Sequence, residues 1–139
     1  MSIRLANSSD LSVLAEYDHH IAYAELDALI QKGRVLIAES DGHIIGWLRW
    51  NLFWDNTPFM NLLFLLEGYR SKGHGKAMVS HWEQEMAQLG YRTVMTSTAS
   101  DEYAQHFYRK LGYSAIGGFV LPGDPYELIF AKTLQEDSV

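Results

Sequence analysis

Apolar and polar positions along the chain follow two rhythms, one of period two and one near 3.6, and the switches between them predict its elements. Ile3, Arg4 and Leu5 make a short first strand. Ser8, Ser9 and Asp10 are suited to cap a helix, because their side-chain oxygens accept the free amides of a first turn. Leu11, Leu14, Ala15 and Asp18 then recur at helical spacing. A second helix over residues 21–31 turns Ala22, Leu26, Leu29 and Ile30 inward, and Gly33 stops it. Residues 35–39 read as a strand, and Asp41-Gly42 tolerates the positive φ of a tight hairpin. Residues 43–54 form a long strand. Residues 59–67 form another, apolar on both faces as a buried central strand is.

From Gly75 the period lengthens. Ala77, Met78, Trp82, Met86 and Leu89 mark a helix that ends at Gly90. A strand over 91–96 follows, then a short helix capped by Asp101 and closed by Gly112. Two last strands, 114–121 and 127–132, flank Pro122-Gly123-Asp124-Pro125. The order β-α-α-β-β-β-α-β-α-β-β predicts an α/β (α+β) fold. Its sheet is mixed and mostly antiparallel, of six to seven strands flanked by about four helices. With 139 residues and no repeat or linker, the expectation is a single domain over 1–139.

Charge and composition narrow the function. A net charge of −6 argues against nucleic acid as a partner, since that needs a basic face. The chain has no cysteine, hence no disulfide, no thiolate nucleophile and no cysteine zinc site, which fits a reducing cytoplasm. The strongly apolar run near 62–66 is too short for a bilayer, and the start lacks a signal-peptide pattern. The expectation is a cytoplasmic protein with no membrane partner. The histidines, His19-His20, His74, His81 and His106 among them, lack metal-ligand spacing, so no metal is expected.

Leu65-Leu66-Glu67-Gly68-Tyr69-Arg70-Ser71-Lys72-Gly73-His74-Gly75-Lys76 joins a buried strand to a helix. Gly73 and Gly75 clear side chains from a place where a ligand can approach the backbone. The first helical amides point outward there, reinforced by the helix dipole. Arg70, Lys72 and Lys76 gather positive charge on an acidic chain. These features describe a pyrophosphate seat, and equally a solvated strand-to-helix turn. They fit neither the Walker A pattern nor G-x-G-x-x-G.

Arg70, Gly73 and Gly75 match the acetyl-CoA signature of the GNAT superfamily of N-acetyltransferases: Arg or Gln, two residues, Gly, one residue, Gly or Ala. Downstream, Ala104-Gln105-His106-Phe107-Tyr108-Arg109-Lys110-Leu111-Gly112-Tyr113 resembles the family's second conserved helix. The resemblance implies a cofactor seat. Leu65, Leu66 and Glu67 would pair with the pantetheine arm, and the amides of Ser71, Lys72, Gly73, His74, Gly75 and Lys76 would hold the pyrophosphate beside Arg70. It also implies that the fourth and fifth strands splay apart around the thioester. Ser97 and Ser100 stand where the family often has a polar cofactor contact, though its asparagine is missing here.

The resemblance implies the chemistry too. Acetyl-CoA is the co-substrate, and a primary amine of a small molecule attacks it directly in a ternary complex. Tyr108 is the implied proton donor to the leaving thiolate, with packing or a simple cofactor contact as its other readings. Glu67 is a candidate base, but can equally be a solvated residue or a partner of Arg70. Tyr23, Trp47, Trp50 and Glu67 are candidate acceptor contacts, with Trp47 and Trp50 on opposite faces of one strand. Most of these aromatics also suit a core. Three alternatives stay open: a peptide or protein acetyltransferase, a non-catalytic acyl-CoA-binding module, and a nucleotide-binding domain. Relatives commonly dimerise, and a homodimer through the last strands is open as well.

Overall fold

The order of elements follows the hydrophobic pattern, while several boundaries move for local reasons. A computed structural model describes residues 1–134. The strands are β1 (Ser2–Leu5), β2 (Val35–Ser40), β3 (His43–Phe53), β4 (Thr57–Leu65), β5 (Thr93–Ala99), β6 (Ser114–Phe119) and β7 (Glu127–Thr133). The helices are α1 (Leu11–Tyr17), α2 (Tyr23–Gln31), α3 (His74–Gln88) and α4 (Ala104–Lys110), with 3-10 turns at Ser8–Asp10 and Glu67–Tyr69. The strands are hydrogen-bonded in the order β1-β2-β3-β4-β5-β7-β6. β4 and β5 run parallel, and the β1–β2, β2–β3, β5–β7 and β6–β7 pairs are antiparallel. This is the expected α/β mixed sheet.

Asn7 caps the 3-10 turn Ser8–Asp10 that leads into α1, and Asp10, at the N-cap position of α1 itself, makes no side-chain cap hydrogen bond to that helix. The Asn7 side chain accepts from the Ser9 amide, and the Asp10 carboxylate accepts from the Asn7 amide 2.8 Å away. That reciprocal arrangement places the serines inside the first turn. β3 stops at Phe53 because Trp54 and Asp55 are both left-handed, at φ 54° and 62°, and turn the chain into β4. Those dihedrals are a hairpin turn that no glycine announces. β4 ends at Leu65, two residues earlier than expected, so Glu67 lies in a 3-10 turn rather than on the strand. β5 runs on to Ala99, and α4 starts three residues beyond Asp101, which does not cap it.

Two compact units make up the described chain. The first comprises Met1–Asn51 with Leu62–Trp82. Its core gathers Leu11 and Leu14 of α1, Leu26, Leu29 and Ile30 of α2, Val35 and Ile37 of β2, and Trp47 of β3, with Leu62 and Phe64 of β4 packed against them. The helical and strand periods converge here on one apolar layer. Leu36 pairs with Leu48 in register, and both point to the opposite, equally buried face with Trp50. A Cβ at Gly46 would lie 2.5 Å from the Phe64 carbonyl oxygen, so this β3 position must be glycine for β4 to approach.

The second unit comprises Leu52–Asn61 and the described residues from Glu83 on. β5 carries Val94, Thr96 and Thr98 as buried residues, and Thr96 faces Phe130 of β7 across the ladder. Glu83 receives hydrogen bonds from Tyr113 Oη and Lys132 Nζ, both at 2.8 Å. β6 is exposed along its length. No helix among the described residues is long and apolar enough to cross a membrane.

Candidate functional site

The strand-to-helix segment of the first unit has the shape of an anion seat. Its backbone is left-handed at Ser71 (φ 62°) and at Gly73 (φ 86°), which folds successive amides toward one side. At Gly73 a side chain would be strained by conformation alone, since nothing lies within 4 Å of its Cβ position. α3 begins at His74, and the Ala77 amide closes onto the Gly73 carbonyl at 3.1 Å. The first-turn amides of His74, Gly75 and Lys76 therefore have no intrahelical acceptor. Ser71, Lys72, Gly73 and Lys76 are exposed, Gly75 is buried, and the His74 ring rests 6.1 Å from Tyr69.

Arg70 is turned back along the strand. Its Nε donates to the Leu65 carbonyl at 2.9 Å, and its guanidinium lies over the Phe64 ring. It braces the end of β4 and does not pair with Glu67. The Leu66 amide donates to the Ile45 carbonyl at 2.8 Å, fixing the last residue before the turn to β3. Glu67 is exposed, and among the described residues no partner holds its carboxylate.

The tryptophans and Tyr23 occupy different environments. Trp47 is fully buried, with Tyr17 on one side at 6.0 Å and Phe64 on the other at 4.7 Å. Tyr17, Trp47, Phe64 and Arg70 thus form a continuous stack from the end of α1 to the signature turn. Trp50 is buried against Trp82, under the Arg34 guanidinium. Tyr23 is exposed at the start of α2. Next to the stack is a pair that the motif reading missed. Arg49 of β3 donates from Nε to Asp18 at 2.7 Å, with both side chains buried. The signal was present: Arg49 falls on the same strand face as Trp47, and a charge on an apolar face needs a buried partner.

In the second unit, Tyr108 projects from α4 into the core, 7 % exposed, with Tyr113 at 5.7 Å and Phe130 at 6.3 Å. Burial pushes its hydroxyl up to about 12; the neighbouring Thr96 side chain opposes the shift, and the Glu102 charge adds to it. The phenol therefore keeps its proton at neutral pH. Burial, followed by the Glu83 carboxylate, drives Tyr113 higher still. The backbone of Ser100 is engaged, its amide on Tyr126 and its carbonyl on the Gln105 side chain. Ser97 lies half-buried on β5. Among the described residues no group of three or more His, Cys, Asp or Glu side chains is placed to hold a metal.

A seven-stranded mixed sheet with a parallel β4–β5 pair and a glycine turn feeding a long helix is the α/β fold of the GNAT class. The acetyltransferase (GNAT) family model matches residues 4–113, most of the chain, and the chain belongs to that family. By that membership it is an N-acetyltransferase. Among solved structures it is similar to Ard1 from Thermoplasma volcanium, at 14% identity and TM-score 0.84, covering 97% of this chain and 98% of that one. An aminoglycoside 6'-N-acetyltransferase complexed with coenzyme A matches at 16% identity and TM-score 0.78, over 100% of both chains. The ribosomal-protein-S18-alanine N-acetyltransferase from Escherichia coli matches at 15% identity and TM-score 0.78, over 99% of this chain and 96% of that one. At these identities the likeness is one of fold. No curated protein sequence matches the chain.

Proposed function

We propose that residues 1–139 act as one acetyltransferase domain that moves the acetyl group of acetyl-CoA directly to the primary amine of a small molecule. Acetyl-CoA supplies the acetyl group as an activated thioester. The amides from Ser71 to Lys76, with Lys72 and Lys76 around them, suit its pyrophosphate, while Arg70 braces the end of β4 beneath the seat. Leu65, Leu66 and Glu67 offer backbone to the pantetheine arm, and a β4 amide near Leu65 polarises the thioester carbonyl. Glu67 takes one proton of the incoming ammonium, the amine nitrogen bonds to the carbonyl carbon as the C–S bond breaks, Tyr108 protonates the leaving sulfur, and the second proton shed by the new amide nitrogen goes to solvent, from which the phenol is reprotonated. With no cysteine in the chain, an acyl-cysteine intermediate is excluded, and positioning of two substrates supplies much of the acceleration.

The observation that carries the small-amine reading is the exposed carboxylate of Glu67 at the entrance to the signature turn, without a partner among the described residues. A cationic amine complements it, and the exposed Tyr23 of the same unit is a further candidate ring for a cation. The test is release of free thiol from acetyl-CoA across a panel of polyamines, aminoglycosides, amino acids and peptides with free N-termini. Small amines are expected to turn over, with Glu67→Gln raising the pH at which they do so. Turnover of peptides alone would assign a protein acceptor.

A further inference from the structure

The peptide unit between Leu65 and Leu66 is held at both ends. Its N–H, that of Leu66, donates to the Ile45 carbonyl of β3 at 2.8 Å. Its C=O, that of Leu65, accepts from Arg70 Nε at 2.9 Å. The peptide is trans, so these two groups point in opposite directions and the carbonyl lies on the edge away from β3. Arg70 is itself supported there. Its guanidinium sits 5.7 Å from the centroid of the Phe64 ring, and Phe64 packs on the buried Trp47 at 4.7 Å. The first side chain of the signature turn is thus directed back at the strand before it.

We propose that Arg70 is a positioning residue for the pantetheine arm, acting through the Leu65 carbonyl, and not a ligand of the pyrophosphate. This inference rests on residues 65–76 being the acetyl-CoA seat. A carbonyl oxygen has two lone pairs, and Arg70 occupies one. The other is left for an amide N–H, which a pantetheine arm carries. A charged donor polarises the carbonyl it binds and, through the shared peptide, strengthens the Leu66 bond to Ile45. The peptide that closes β4 is therefore fixed in direction before the ligand arrives, which lowers the ordering cost of binding.

The donating atom is the fourth of the Arg70 side chain, and this separates the two roles. Glutamine carries an N–H at that atom and no charge, whereas lysine keeps the charge and has a methylene there. In calorimetric titrations with acetyl-CoA, Arg70→Gln is expected to stay within about threefold of the wild type, while Arg70→Lys and Arg70→Met bind about tenfold more weakly. A second readout needs no ligand. Leu62-Leu63 and Leu65-Leu66 are the two Leu-Leu pairs of the chain. In protein carrying 13C′- and 15N-leucine they alone give coupled carbonyl–nitrogen signals, and Leu63→Met assigns them by removing one. The Leu65-Leu66 signal is expected to move in Arg70→Lys and Arg70→Met and far less in Arg70→Gln, with Leu62-Leu63 as the internal control. Arg70→Gln binding no more tightly than Arg70→Lys, or a Leu65-Leu66 signal unmoved in Arg70→Met, would overturn the role of Arg70. A wild type without affinity for acetyl-CoA would instead remove the seat and the inference with it, a failure told apart by a Leu65-Leu66 signal that still moves in Arg70→Met.

Discussion

Tyr108→Phe lowers kcat on the order of 10²-fold with the best acceptor of the amine panel, the lower end of what a positioned acid contributes. The phenylalanine ring refills the site between Tyr113 and Phe130, so the melting temperature barely moves. KM for acetyl-CoA stays near the wild-type value, because the lost interaction belongs to the departing sulfur. The pH profile carries a second expectation. A phenol held at about 12 is fully protonated across the range where amines lose their proton. The rising limb set by the amine or its base therefore persists in the variant, lowered but not displaced. Steady-state kinetics from pH 6 to 10 check both points. A variant whose profile also shifts would make Tyr108 the group that sets the limb, contrary to its assignment.

Asp18→Ala destabilises the protein by roughly 3–5 kcal/mol, because it leaves the buried Arg49 guanidinium without its counter-charge. Urea unfolding reads this as a lowered midpoint at constant slope. Replacing both partners together, Asp18→Leu with Arg49→Met, recovers most of the loss, since the cost lies in the unpaired charge more than in the absence of the pair. Burial by itself raises the Asp18 carboxyl, but the Arg49 hydrogen bond and charge outweigh it and leave the group below its ordinary value. Asp10 is lowered as well, first by its hydrogen bond from Arg4, with burial opposing. A carboxylate with a depressed folded pKa contributes its stability fully above the ordinary aspartate value of about 3.9. That contribution disappears as pH falls below this value and through the folded one. The wild type therefore loses stability steeply below about pH 4, and Asp18→Ala loses less over the same interval.

The sheet and helix order was legible because burial enforces periodicity. Residues 59–67 read as a central strand because the run is apolar on both faces, and 77–89 read as a helix because apolar residues mark one face. The ends of elements obey local chemistry that composition hides. Trp54 reads as the continuation of a strand, yet it sits left-handed at a hairpin tip. Thr96, Ser97 and Thr98 read as the polar end of a strand, yet Thr96 and Thr98 are buried and their hydroxyls are engaged, on Met60 and Glu102. On the donor side, the glycine spacing and the basic residues were visible because a phosphate seat demands backbone access. The left-handed Ser71 and the bracing of Leu65 by Arg70 were not, because any residue with a suitable neighbour can supply them. The acceptor side stayed obscure for a related reason. Aromatics on a strand suit a core and an acceptor pocket alike, and here Trp47 and Trp50 are both buried in the core.

The central claim, that residues 65–76 seat acetyl-CoA, is tested most directly by calorimetric titration of acetyl-CoA into the wild type and Gly73→Val. A β-branched side chain at φ 86° both strains the turn and fills the approach to its amides. The wild type is expected to bind one acetyl-CoA per chain. The folded variant should bind at least about tenfold more weakly, the loss of roughly one charge-assisted hydrogen bond. A folded Gly73→Val that binds acetyl-CoA as tightly as the wild type would contradict the assignment.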